Sequence, residues 1–352
     1  MRFIELFAGI GGFRLGLENT GHECVWANEI LDKPRSIYER NFGEAPDGRD
    51  IRLVSGTELP EADILVGGFP CATFSVAGKR TGFSLEDTRG TLAFEMFRIA
   101  HERQIPYILF ENVKGLLNHD GGKTFGIILS VLDEMGYDCQ WELLDSQHFG
   151  IPQHRERVFL VANHRDFARP KVFPIGREVR QDFGEGAGQA FQHSETESDS
   201  GAGRLSVLKN VPYATGRKPK DVRVFPTIDG HYWKGIQNNQ GRGAVRAVLT
   251  PDREEKRQRG RRFKDVDEAS FTITAQDRHG VLVEHEGKSR IRRLTPLECE
   301  RLQGFPDGWT EFYADGKPVS DSERYERCGR TVTIPVIEAI GRRLYDFWDE
   351  SK

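Results

Sequence analysis

Through the first 165 residues, short apolar runs alternate with longer stretches whose apolar positions recur every three or four residues. Phe3–Leu6, Glu23–Ala27, Ile64–Val66, Tyr107–Phe110 and Val158–Ala162 read as strands, whereas Gly90–His101 and Thr124–Met135 have helical spacing. That alternation predicts an α/β fold in which a largely parallel sheet is covered by helices on both faces. Glycines follow the first and third strands directly, at Gly9-Ile10-Gly11-Gly12 and Gly67-Gly68. Ligands of such sheets bind outside the carboxyl ends of the strands, where these turns fall.

The texture changes near residue 166. Residues 183–204 are poor in large apolar groups and rich in Gly, Ser and Glu, and read as a flexible linker. Beyond it lie short β-like pieces at Val222–Ile228, Ala244–Leu249, Ser270–Thr274 and Gly280–Val283, separated by basic and glycine-rich turns. Helical patterning returns in TPLECERLQGF and in the closing segment IPVIEAIGRRLYDFW. The predicted organisation is a catalytic and cofactor-binding domain of residues 1–165 with 291–352, interrupted by a smaller β-rich domain over 166–290.

Charge sharpens this division. Formal net charge is −4, yet residues 201–300 hold 21 Lys/Arg against 13 Asp/Glu. A basic segment on an acidic chain suggests a surface for a polyanion; alternatively RQRGRRFK (257–264) is a solvated face. The apolar N-terminus runs into glycines after a few residues, as a buried strand does and a signal peptide does not. No apolar run is long enough for a membrane span. Five scattered cysteines fit a reducing cytoplasm with one thiol free for chemistry, and not a disulfide framework. No metal-ligand spacing stands out.

Glycines at the start of a helix let backbone approach a ligand, and Glu29 follows roughly 20 residues on, where an acid commonly accepts ribose hydroxyls. GGFPCATFSVAGKR (67–80) places Cys71 after Pro70 on a turn at the mouth of the sheet. ENV (111–113) puts a carboxylate on the same edge, and QHRER (153–157) supplies two arginines before another strand.

Taken in order, FAGIGG, GFPCATFS with SLEDTRGTLAFEMFRI, ENVKGL, FGIPQHRERVFLVA, RRLTPLECERLQGFP and GRTVTIPVIEAI resemble the motifs of the DNA cytosine-5 methyltransferase family over nearly the whole chain. The resemblance implies an S-adenosylmethionine-dependent methyltransferase (Rossmann-like) fold with an inserted target-recognition domain. It implies that Cys71 attacks carbon 6 of a flipped cytosine, that Glu111 bonds the ring nitrogen 3 and exocyclic amine, and that Arg157 holds oxygen 2. Arg155 is implied to fix the loop or a phosphate, and the segment 75–90, with Lys79 and Arg80, to act as a lid. For S-adenosyl-L-methionine it implies Phe7 on the adenine, Glu29 on the ribose, Asp50 and Ile51 as further adenine contacts, and Gly9, Gly11, Gly12 and Pro70 at the methionine end. Thr331 and Val332, in the last motif, are implied to fold back to the cofactor. The expected partner is double-stranded DNA, with the chain a monomer off the membrane and a cognate restriction endonuclease a candidate companion.

Two residues depart from the family pattern: Ala72 where Gln is usual, and Arg330 where Asn is usual. Arg330 could turn outwards or pair with Glu29 or Glu326, contact DNA phosphate, or select carboxy-S-adenosyl-L-methionine and so yield 5-carboxymethylcytosine. Two other functions share the scaffold: a transfer-RNA cytosine methyltransferase and a non-catalytic DNA-binding regulator. The size of the inserted domain favours DNA over RNA, and the complete Cys71, Glu111, Arg155 and Arg157 set favours an enzyme.

Overall fold

The computed structural model describes residues 1–69, 92–175, 245–249, 263–264, 268–275, 279–285 and 288–350. Pro70, Cys71, Ala72, the 75–90 segment, the 183–204 linker, the Val222–Ile228 strand and the arginines of 257–262 lie outside these residues. The chain divides into two compact units: residues 1–144, 156–175 and 336–352 in the first, 145–155 and 176–335 in the second.

The first unit is built on a six-stranded sheet. Its strands are β1 (Arg2–Leu6), β2 (Glu23–Asn28), β3 (Ile64–Gly67), β4 (Tyr107–Val113), β5 (Tyr137–Asp145) and β6 (Glu156–His164), in the spatial order β2-β1-β3-β4-β6-β5. β1 pairs in parallel with β2 and β3, and β3 with β4, whereas β4 and β6 run antiparallel. Central strands covered on both faces read as unbroken apolar runs, and β3, ILVG, is buried at every position. One face carries Ile4, Leu6, Leu65, Ile108, Phe110 and Leu160 against helices α3 (Leu92–Arg103) and α4 (Lys123–Glu134). Helix α1 (Gly12–Glu18) leads from β1 to β2, and α2 (Asp32–Phe42) follows β2; Tyr38 of α2 packs with Ala8 and Ala27.

The second unit contains a three-stranded antiparallel sheet of β7 (Val245–Val248), β8 (Gly280–His285) and β9 (Lys288–Arg293). Helix α5 (Pro296–Arg301) starts with a full capping box: Thr295 accepts from the Glu298 N–H, Glu298 accepts from the Thr295 N–H, and Pro296 occupies the first turn. Helix α6 (Asp321–Arg330) packs on it, and α7 (Ile334–Glu350), which belongs to the first unit from residue 336 on, follows.

Five predicted strands of the first unit and the four predicted helical segments are present within a few residues of their expected bounds. Ser270–Thr274, expected as a strand, makes only an isolated bridge between Ser270 and Gln153. The reason is that side chains take its backbone groups: the Ile273 N–H donates to Gln153 Oε1 and its carbonyl accepts from Arg155. A segment saturated in this way has no ladder to offer a second strand.

Candidate active site

Glycine chemistry shapes the end of β1. Gly9 and Gly11 have φ of +57° and +85°, and Phe7 between strand and turn also has a positive φ, 55°. A Cβ on Gly11 would stand 2.2 Å from Cε2 of Phe42, so this glycine is required by packing as well as by conformation. The Gly9 N–H donates to Glu29 Oε2 at 2.9 Å, and the Leu31 N–H donates to Glu29 Oε1 at 2.8 Å. Glu29 is buried. It therefore ties the first glycine turn to the end of β2 through both carboxylate oxygens.

Asn28, next to it, donates from Nδ2 to the carbonyls of Asp47 and Arg49, each at 2.9 Å, and Asp47 bridges to Asn28 in parallel. The chain leading to Asp50 is thus laid along the same sheet edge as Glu29. Asp50 caps the turn Ile51–Leu53 by accepting from the Arg52 N–H, and its carboxylate pairs with the Arg52 guanidinium. That pairing holds the Asp50 pKa below the ordinary carboxylate value. Ile51 is buried, whereas Ile30, Leu31 and Leu53 are exposed apolar side chains on either side of the acids. Positive-φ glycines, an acid oriented by backbone N–H groups and apolar side chains open to solvent suit a nucleoside-bearing cofactor: hydroxyl acceptors and apolar walls are both present. The flanking Ile30, Leu31 and Leu53 carry no motif; exposure of large apolar groups beside Glu29 is visible only in three dimensions.

At the ends of β3 and β4, a Cβ on Gly67 would lie 2.7 Å from the Leu6 carbonyl, and one on Gly68 3.3 Å from Glu111 Oε2. Gly68 thereby leaves the Glu111 carboxylate room beside the chain entering Pro70. Phe69 is buried against Phe110, with ring centroids 5.1 Å apart, and its carbonyl accepts from Asn112 Nδ2 at 2.9 Å. Asn112 thus anchors the residue preceding Pro70 to the end of β4. The sequence offered its signal only as the middle letter of that motif.

Glu111 faces Phe159 across β4 and β6, and Arg157 faces Val113, so Glu111 and Arg157 are diagonal neighbours on one face. Arg157 Nε lies 3.0 Å from Glu111 Oε1, with 16% and 13% of the two side chains exposed. This partly desolvated pair sets a strong acceptor beside a strong donor at the sheet edge. Such a pair can grip an amide-like edge that offers both a donor and an acceptor.

Arg155 is built differently. In the second unit its buried guanidinium donates to the carbonyls of Ile273 (2.9 Å), Thr331 (2.7 Å) and Gly329 (3.4 Å). Those of Gly329 and Thr331 end α6, where a helix leaves carbonyls without partners and favours a cation. The Arg155 N–H donates to Asp145, which also accepts from Gln147 and pairs with His154. Val332 is buried and Thr331 partly so. Arg330 is 58% exposed and pairs with Glu326 one turn earlier on α6, at 2.9 Å.

The mostly parallel sheet with glycine turns at its carboxyl edge is consistent with an S-adenosylmethionine-dependent methyltransferase fold of Rossmann-like type. A model of the C-5 cytosine-specific DNA methylase family matches residues 1–346, and the chain belongs to that family. It is 34% identical over 431 aligned residues to the orphan methyltransferase M.SPRI of Bacillus phage SPR, covering 98% of this chain and 97% of that protein. It is equally 34% identical to the type II methyltransferase M.DsaV of Dactylococcopsis salina, covering 99% and 87%. Two solved structures share the fold at 18% identity and 99% coverage of both chains. They are a putative DNA modification methyltransferase encoded within an E. coli prophage (TM-score 0.58) and S. pombe Dnmt2 (TM-score 0.57). Among the described residues no helix is long and apolar enough to cross a membrane, and no cluster of His, Cys, Asp and Glu could hold a metal.

Proposed function

We propose that this enzyme methylates carbon 5 of a cytosine flipped out of double-stranded DNA, with Cys71 as nucleophile and Glu111 and Arg157 gripping the base. The Glu111–Arg157 pair beside the chain entering Pro70 is the observation that carries this reading. Glu111 accepts from the exocyclic amine and shares a proton with nitrogen 3, and Arg157 donates to oxygen 2. Negative charge entering the ring is thereby spread over groups already in place. The Cys71 sulfur, as the thiolate, forms a bond to carbon 6, the electron pair of the 5,6 double bond becomes available at carbon 5, and carbon 5 takes the methyl group as the methyl's bond to the donor sulfur breaks. Loss of the carbon 5 proton then re-forms the double bond as the sulfur–carbon 6 bond breaks.

The other four cysteines suit this role poorly. Burial pushes the Cys24 and Cys139 thiols up to about 12, and raises those of Cys299 and Cys328 further.

S-adenosyl-L-methionine supplies an electrophilic methyl group when bound. Phe7, Gly9, Gly11, Gly12, Glu29, Asp50 and Ile51 would hold it, with Pro70, Thr331 and Val332 contributing. Arg330, already paired with Glu326, supports the ordinary methyl donor over its carboxylated analogue. Residues 166–290 are read as the target-recognition domain and Arg155 as a residue that positions the last motif. The protein is expected to work in the cytoplasm as a monomer.

Incubation of the purified chain with cofactor and with duplex DNA carrying 5-fluorocytosine tests the reading. A stable covalent adduct is expected for the wild type and not for Cys71→Ser. An adduct that survives that substitution, or 5-methylcytosine formed by Cys71→Ser at near wild-type rate, overturns the assignment. Adduct formation on transfer RNA alone would redirect the substrate to RNA.

A further inference from the structure

Helix α3 holds the turns after Asp50 through one guanidinium and one carboxylate. Arg98 Nη2 donates to the carbonyls of Ile51 (3.0 Å) and Val54 (2.9 Å), Nη1 to Glu102 (2.8 Å) and Nε to Glu95 (2.8 Å). Glu102 also accepts from the Gly56 N–H at 2.7 Å. A Cβ on Gly56 would stand 2.8 Å from Glu102 Cβ and 2.9 Å from the Ile99 carbonyl, so the second turn is pressed onto the helix. The planar fork of arginine meets two carbonyls and two acids at once, which the compact ammonium of lysine cannot reproduce.

One peptide group gives this clamp a functional direction. The Ile51 carbonyl accepts from Arg98, and the Arg52 N–H of the same peptide donates to Asp50 Oδ1 at 3.0 Å. Peptide planarity couples the two ends, so the guanidinium that orients the carbonyl also orients the N–H aimed at Asp50. Packing constrains the turn at Ile51 and Val54, which are buried, while Leu53 is exposed. Arg98 therefore adds a constraint from α3 to those within the turn itself, where the Val54 N–H also donates to the Ile51 carbonyl and the Arg52 guanidinium pairs with the Asp50 carboxylate.

We propose that Arg98 is a positioning residue for cofactor recognition, setting the Asp50 turn against the adenine of the methyl donor through the Ile51–Arg52 peptide. The proposal rests on the reading of Asp50 and Ile51 as adenine contacts.

Titration of the full chain with S-adenosylhomocysteine tests it, using Arg98→Lys, Arg98→Met, Asp50→Ala and the Arg98→Met/Asp50→Ala double variant. Both Arg98 variants should raise Kd about tenfold, with KM for the donor rising in step and kcat falling less than about twofold. The double variant should bind no worse than Asp50→Ala alone, as expected of residues acting on one contact. If Arg98→Met does not fold, Arg98→Lys, which keeps the charge, carries the test. Arg98 variants that bind like wild type while Asp50→Ala binds weakly overturn this inference and leave the adenine reading standing. So does a kcat loss that matches the KM change, or an additive double variant. An Asp50→Ala variant with wild-type affinity removes the adenine reading itself, and this inference with it.

Discussion

The Nε of Arg157 lies 3.0 Å from Oε1 of Glu111, diagonally across the antiparallel pairing of β6 with β4. Forty-six positions apart in sequence, the two form one donor–acceptor edge because the register puts both on the same face. Each is mostly buried, so each depends on the other for compensation of its charge. Glu111→Gln keeps the shape but cannot share a proton with the base as the proposed function requires, and kcat should fall at least about 100-fold while DNA binding changes little. Single-turnover methylation with labelled donor measures it, and a rate within about fivefold of wild type would exclude Glu111 from the chemistry.

Arg155→Met should act on stability before chemistry. It removes the donors serving the Ile273, Gly329 and Thr331 carbonyls, and unpaired buried groups cost about 1–3 kcal/mol each. Urea denaturation should show a loss of about 3 kcal/mol or more, with Arg155→Lys recovering only part of it. A variant as stable as wild type would mean that other groups hold the last motif.

Glu5 predicts an alkaline weakness beneath the first glycine turn. It is fully buried on β1, accepting from Tyr38 Oη at 3.2 Å and from the Arg14 N–H at 3.3 Å, and burial raises its pKa from 4.5 to about 8. Between those values the folded chain binds more protons at this site than the unfolded chain, so its contribution to stability falls as pH rises. The loss is complete once pH exceeds about 8. Glu5→Gln, which stays neutral, should flatten the fall in melting temperature between about pH 6 and about pH 8, the upper part of that window. An unchanged pH profile would place the titration elsewhere.

Gly11→Ala should damage cofactor binding more than any exposed substitution. The backbone at φ +85° disfavours any L side chain, by roughly 1–2 kcal/mol, and the new Cβ meets the Phe42 ring as well. Calorimetry with S-adenosylhomocysteine should show affinity at least about tenfold weaker. Unaltered affinity would mean that α2 yields at Phe42 and that the turn tolerates strain.

Arg330→Asn tests the donor. An exposed i,i+4 pair such as Arg330–Glu326 is worth about 0.3–0.5 kcal/mol, so stability should hardly change. Mass spectrometry of nucleosides should find 5-methylcytosine from wild type and variant alike, even with carboxy-S-adenosylmethionine in excess. Carboxymethylcytosine from wild type, lost in the variant, would make Arg330 the selecting residue.

The sequence by itself determined the α/β class and most central strands, because strands buried on both faces are predominantly apolar, with Glu5 of β1 the exception. It also determined the glycine turns, since a residue without Cβ is needed wherever φ turns positive, as at Gly9 and Gly11. β5 carries the alternating apolar–polar signature of a strand along YDCQWEL, whereas α2 and α6 were not legible, because DKPRSIYERNF and DSERYERCGR are too polar for a clear apolar period. Motif order brought Glu111, Arg155 and Arg157 to notice as one set. Only the tertiary structure separated them, setting Arg157 against Glu111 and burying Arg155 on the carbonyls that end α6. Arg157 lies on β6, whereas Arg155 precedes that strand and belongs to the second unit, so chain proximity cannot decide which arginine meets which partner. The clamp of Arg98 on Ile51 and Val54 was equally hidden, since a contact between a helix and a turn more than forty residues away leaves no local pattern to read.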